Sequence, residues 1–207
     1  EGVSIGTLVG SLLATDEDAS TNTFTLVSGD GDTHNELFSI SNSNLLVNGL
    51  IDYEQTQVLD IRVQVTDGQF TYDKALTINV NDVNDTPTDI TLSANAVDEN
   101  LASGTVVGGL STTDADNGNT FTYTLVGGGS DNDRFSISGT NLVTAAVLDF
   151  ETKSSYSVVI QTSDGSATYS KTFSIAVNNA NDSPTDIALS ANAVDENLAS
   201  GTVVGGL

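Results

Sequence analysis

Alternation of apolar and polar side chains is the dominant pattern along this chain. Leu59, Ile61, Val63 and Val65 are separated by Asp60, Arg62 and Gln64, the period of two expected of a strand with one buried face. Tyr156, Val158 and Ile160 keep the same rhythm further on. Leu76, Ile78 and Val80, then Phe173, Ile175 and Val177, predict a second long strand in each half. Phe24 and Leu26 with Tyr123 and Leu125 mark an earlier strand, and Phe38 and Ile40 with Phe135 and Ile137 another. Asp67-Gly68 and Asp164-Gly165 sit between predicted strands and have the chemistry of hairpin turns. No stretch carries a helical period.

The halves are copies. Thr86 to Leu110 and Ser183 to Leu207 differ only at Thr86/Ser183 and Thr91/Ala188, the self-similarity of tandem units. Glu1 to Gly10 aligns more loosely with Glu99 to Gly108. The predicted architecture is therefore all-β: tandem Greek-key β-sandwiches of seven strands, in units of about 100 residues. The expected divisions are a first repeat at 1–86, a complete repeat at 87–183, and the start of a third at 184–207. The first repeat lacks a counterpart of Thr88 to Asp98 and hence its first strand. The segment from Pro184 onward carries that strand with no domain to receive it. It is expected either to stay disordered or to pair with the first repeat of another copy, as a strand-exchanged dimer.

Charge changes the picture. There are 28 acidic residues against 5 basic, a formal charge of -23, which excludes the clustered Lys and Arg that nucleic-acid binding needs. It also argues against anionic membrane surfaces, and no apolar run is long enough for direct membrane insertion. Such charge destabilises a compact state unless something neutralises it, and divalent cations are the obvious candidate. Cysteine is absent, so disulfides and thiolate metal sites play no part. Methionine is absent too, including at position 1, and no signal peptide is evident; the chain reads as a piece of a longer protein.

The acids recur in four motifs. Asp98-Glu99-Asn100 returns as Asp195-Glu196-Asn197, with Glu1 as its remnant in the first repeat. Asp114-Ala115-Asp116 matches Asp16-Glu17-Asp18, and Leu148-Asp149-Phe150-Glu151 matches Ile51-Asp52-Tyr53-Glu54. Each unit closes on a connector: Asp82-Val83-Asn84-Asp85-Thr86-Pro87, then Asn179-Ala180-Asn181-Asp182-Ser183-Pro184, 97 positions on (82 to 179). A packed core has no use for such a run, whereas Ca²⁺ takes several carboxylate, amide and backbone oxygens. Asp-x-Asp in an extended segment puts both carboxylates on one side of the chain. In Leu-Asp-Phe-Glu the apolar residues would face the core and the acids face out.

Four such motifs, in this order and twice over, resemble the cadherin repeat, and most closely the cadherin-like repeats of large bacterial surface or secreted proteins. In that family calcium sits between successive repeats. At the first junction the resemblance implies ligands from Glu1, Asp52 and Glu54 above, Asp82, Asn84 and Asp85 in the connector, and Asp114, Asp116 and Asp164 below. At the second it implies Glu99, Asp149 and Glu151 above, with Asn179, Asn181 and Asp182 in the connector. Both connectors are one residue shorter than the family's usual Asp-x-Asn-Asp-Asn-x-Pro. Asn179 also replaces the first Asp, so the second site is expected to be weaker or empty.

Catalysis finds no support in the sequence. The acids lie at unit ends rather than across a pocket, as glycosidases require, and no motif for nucleotide, zinc or organic cofactor chemistry is present. His34 is the only histidine and reads as a solvated loop residue without a counterpart in the second repeat. Asn84-Asp85-Thr86 and Asn181-Asp182-Ser183 match the N-glycosylation pattern but are better explained as ligands. The resemblance implies an extracellular or cell-surface spacer or adhesion module stiffened by Ca²⁺, contacting like repeats or a cell-surface ligand. The alternative is a calcium-dependent polysaccharide-binding module, against which the absence of Trp and scarcity of Tyr weigh.

Overall fold

The computed structural model describes residues 1–17 and 21–205. Asp18 of the first Asp-x-Asp and the last two residues of the segment expected to open a third repeat lie outside them. Fourteen strands and two short 3₁₀ turns make up the described secondary structure. In the first repeat these are β1 (Leu8–Ser11), β2 (Thr23–Leu26), β3 (Phe38–Ser41), β4 (Asn44–Val47), β5 (Val58–Thr66) and β6 (Thr71–Asn79). They form two three-stranded sheets, in the orders β1-β4-β3 and β2-β5-β6.

The second repeat contains β7 (Asp89–Leu92), β8 (Ala96–Asp98), β9 (Val106–Thr113), β10 (Thr122–Leu125), β11 (Phe135–Ser138), β12 (Asn141–Thr144), β13 (Ser155–Ser163) and β14 (Thr168–Asn178). Its sheets have four strands each, β11-β12-β9-β7 and β10-β13-β14-β8. The stretch expected as one first strand breaks between Leu92 and Ala96, and its two pieces join opposite sheets. β8 runs parallel to the end of β14, pairing Ala96 with Ala176 and Val97 with Val177; the other described pairings are antiparallel.

The period of two works as expected. Leu59, Ile61 and Val63 of β5 are buried with Phe38, Leu45 and Val80 in the first core. Val158, Ile160 and Ile175 are fully buried in the second repeat, where the Phe135 and Tyr156 rings meet edge-on at 5.8 Å between centroids. The hairpin turns follow their chemistry: Asp67 Oδ1 accepts the Gln69 and Phe70 N–H groups, and Asp164 Oδ1 those of Ser166 and Ala167. Gly68 and Gly165 supply the positive φ, 96° and 103°.

By contacts the chain divides into two compact units. The first is Glu1–Thr91 with Thr112–Thr122 and Gln161–Ser170; the second is Leu92–Ser111, Tyr123–Ile160 and Lys171–Leu207.

His34 differs from its expected loop role. It is half-buried, and its Nδ1 accepts the Asp60 N–H at 3.0 Å while its own N–H donates to Asp60 O. Asp131, 97 positions on (34 to 131), does the same with Ser157, and its carboxylate also holds Lys153. An imidazole nitrogen and a carboxylate oxygen are equivalent acceptors in this clamp.

Two aligned glycines differ in their surroundings. A Cβ on Gly108 would lie 2.5 Å from the Ala94 carbonyl oxygen, whereas one on Gly10 would meet nothing within 4 Å. Gly108→Ala is expected to destabilise by about 1–3 kcal/mol through overpacking. Gly10→Ala is expected to stay within about 0.5 kcal/mol. Urea denaturation of both variants checks this.

Candidate metal centres

Each candidate centre is built round one glutamate. Glu1 Oε2 accepts the Tyr53 N–H at 2.5 Å, and Oε1 the Val83 N–H at 2.7 Å. Glu99 repeats this with Phe150 at 2.7 Å and Ala180 at 2.7 Å. One carboxylate therefore ties the acidic mid-unit turn to the connector. The residue after it turns the chain through positive φ: Gly2 at 63° and Asn100 at 61°, a conformation that glycine and asparagine tolerate best.

Around these anchors the acids gather. Carboxylate oxygens of Glu1, Glu54 and Asp82 lie within 4.8 Å of one another, as do those of Glu99, Asp149 and Glu151. Apart from Asp52, the remaining first-junction candidates are linked through the connector. Asn84 donates to Asp164 Oδ2 at 3.1 Å, the Asp85 N–H to Asp116 Oδ2 at 2.9 Å, and the Asp116 N–H to Asp114 Oδ1 at 3.0 Å. Asp52 stands outside the first trio, its carboxylate clamped on Gln55. All nine first-junction candidates fall in the first compact unit and all six of the second junction in the second.

Asparagine changes the second centre. Asn179 donates its amide to Glu151 Oε1 at 2.9 Å, a hydrogen bond to a carboxylate whose first-centre counterpart, Glu54, lies instead beside the Asp82 carboxylate. Asn181 donates to the Asp182 backbone, and Asp182 Oδ1 accepts from Asn100. Sequence reading missed Asn100 in this role. Its signal was the Glu-Asn and Glu-Gly pairing, which places a residue tolerant of positive φ after the anchor.

Electrostatics show what the clusters lack. Burial, with the charges of Glu1 and Asp82, pushes the Glu54 carboxyl above its ordinary value. Burial also raises Asp85, helped by Glu1, Asp116, Asp52 and Asp114. Glu151 is raised by burial and by Glu99 and Asp182, against the pull of its own backbone N–H. Glu1 moves the other way, held down by the Tyr53 and Val83 N–H groups. Among the described residues no Lys or Arg pairs with a candidate ligand; the ion pairs are Arg62–Asp73, Arg134–Asp133 and Lys153–Asp131. Glu54 Oε2 and Asp114 Oδ2 are buried oxygens without a hydrogen-bond partner. Orphaned anionic oxygens facing other acids fit a hard cation with oxygen ligands.

Residues 94–178 match the family model of the cadherin domain. The chain belongs to the cadherin repeat family. It is 34% identical to human Protocadherin Fat 4 over 171 residues, covering 78% of this chain and 3% of that protein's length. Human Protocadherin-24 EC1-2 superposes with a TM-score of 0.68 at 18% identity, covering 86% of this chain and 91% of the other, a likeness of fold. The protocadherin gammaB7 EC3-6 cis-dimer structure gives a TM-score of 0.59 at 26% identity, over 87% of this chain and 44% of that one. Cadherin domains of protocadherins are extracellular, and the cadherin repeats here are extracellular modules. The bacterial kind of repeat expected from the sequence finds no support in these animal relatives. No helix among the described residues is long and apolar enough to cross a membrane.

A raised carboxyl destabilises the metal-free cadherin repeat at pH above its folded value, and that cost disappears as falling pH protonates it. Glu54→Gln is therefore expected to melt higher than the parent in chelator at neutral pH. The advantage should vanish as pH falls through the raised Glu54 value into the ordinary carboxylate range. Thermal melts of both proteins across pH, in chelator, test the sign.

Proposed function

We propose that this chain is a calcium-binding tandem of cadherin repeats, divided at 1–86, 87–183 and 184–207, that serves as a stiffened adhesion or spacer module in a longer extracellular protein. The observation that carries the reading is the pair of buried oxygens without partners, Glu54 Oε2 and Asp114 Oδ2, set among acids that no basic side chain balances. Ca²⁺ at the first junction would take oxygens from Glu1, Asp52, Glu54, Asp82, Asn84, Asp85, Asp114, Asp116 and Asp164. At the second it would take them from Glu99, Asp149, Glu151, Asn179, Asn181 and Asp182. The second binds more weakly because Asn179 brings an amide where the first junction has a charge. Without the ion the acids repel and the connector moves freely; with it, shared coordination stiffens the junction. Extracellular calcium modules bind at about 10⁻⁴ to 10⁻³ M, which suits this setting.

The repeats act by binding rather than catalysis. Their partners in this reading are like repeats, and the cis-dimer described for protocadherin gammaB7 supports homophilic contact. A second reading, calcium-dependent polysaccharide binding, has one observation behind it. Phe70 and Tyr72 are 76% and 67% exposed, and aromatic faces of this kind stack on sugars. A polysaccharide pull-down with and without Ca²⁺ separates the two.

Millimolar Ca²⁺ is expected to raise Tm by about 4 °C or more and to protect the Asp82–Asp85 connector from protease. Glu54→Gln should lose most of that gain. An unmoved Tm sinks the calcium reading. Small-angle scattering is expected to show a longer, more uniform particle in Ca²⁺ than in chelator.

A further inference from the structure

Asparagine precedes glycine twice in this chain, at Asn48-Gly49 and Asn117-Gly118. In such a pair the following backbone nitrogen reaches the side-chain amide carbon with least hindrance, because glycine has no Cβ. The fold treats the two steps differently. The Asn48 side-chain amide donates to Glu36 O at 3.2 Å, and its backbone N–H to Leu37 O at 2.8 Å. A Cβ on Gly49 would lie 2.7 Å from Leu37 Cδ2 and 3.3 Å from Leu37 Cα, so this step is packed as well as tied.

Asn117 and Gly118 are both exposed, in a turn. Gly118 has φ 89°, and a Cβ there would meet nothing within 4 Å. Among the described residues neither the Asn117 amide nor the Gly118 N–H has a hydrogen-bond partner. The free step directly follows Asp116. Asp116 Oδ2 accepts the Asp85 N–H at 2.9 Å and the Asn119 amide at 3.4 Å, and the Asp116 N–H donates to Asp114 Oδ1.

We propose that Asn117 is a site of spontaneous deamidation, which remodels the turn holding Asp114 and Asp116. The Gly118 backbone nitrogen attacks Asn117 Cγ. The new N–Cγ bond replaces Cγ–Nδ2, and ammonia leaves carrying the former Gly118 proton. Water then opens the five-membered succinimide, at the main-chain carbonyl to give isoaspartate or at Cγ to give aspartate. Either product adds a negative charge beside Asp114 and Asp116. Isoaspartate also routes the main chain through Cγ, which lengthens it by one carbon immediately after Asp116. The Asp116 carboxylate then leaves its place against Asp85 and Asn119. This chemistry needs no metal; only its effect on Ca²⁺ binding rests on the calcium reading.

The test incubates the folded full chain in chelator at mildly alkaline pH, followed by peptide mapping with mass spectrometry and isoaspartate-specific methylation. Asn117 is expected to convert about tenfold or more faster than Asn48, a ratio that one or two clamping hydrogen bonds support. In urea the two steps should convert at similar rates. After conversion, the amide NMR signals of Asp85 and Asn119 should shift in chelator, whereas Asn117→Gln incubated identically keeps them in place. The converted chain should also lose part of the rise in Tm that Ca²⁺ gives the fresh one. Asn117 left intact in the folded chain overturns the proposal, as does conversion no faster than at Asn48. Conversion that leaves the Asp85 and Asn119 signals unmoved overturns the remodelling of the turn. A fresh chain whose Tm ignores Ca²⁺ sinks the calcium reading alone, since mass and NMR decide the proposal without metal.

Discussion

In each half of the chain a single glutamate carboxylate stitches the connector to the body of the sandwich. Glu1 and Glu99 each spend both oxygens on backbone N–H groups from two separate segments. Hydrogen bonds to an ionised acceptor are the stronger kind, and Glu99 is 2% exposed, so in the second half this contact is made away from water. It fixes where the mid-unit acids stand relative to the connector. Glu54, Asp82, Asp149 and Glu151 are close to their neighbours because the anchor leaves the chain little choice. Repulsion among them follows from that architecture, and relieving it is what the proposed cation would do.

The sandwich was legible because alternation is a local property: Leu59, Ile61 and Val63 reveal their face within a few residues. The acidic motifs were legible because they repeat. The split of the first strand was not, since Leu92 and Ala96 give no warning that the backbone changes sheets between them. That break depends on Ala94 passing close over Gly108, a contact between residues 14 positions apart (94 to 108). The anchor role of Glu99 was hidden for a similar reason. A Glu that accepts two distant backbone N–H groups has the same letter as one facing solvent.

His34 shows where comparison between repeats works better than composition. As a lone histidine in a polar run it invites dismissal. Set against Asp131 it becomes one form of a clamp on the neighbouring strand, with Asp60 and Ser157 as the clamped residues. The side chain changed and the acceptor function stayed. Asn179 against Asp82 is the opposite case, since a change of one atom type there alters the charge of a cluster and the partner of Glu151.

The parallel pairing of β8 with β14 has a kinetic consequence. Val97 and Val177, neighbours across that ladder, are 80 residues apart in the chain, and the loop between them must close before either gains from the contact. Structures dominated by such distant pairings fold slowly. During synthesis a repeat cannot complete its second sheet until its last strand has left the ribosome. By then the opening strand of the following repeat, nearly identical in sequence, is about to emerge.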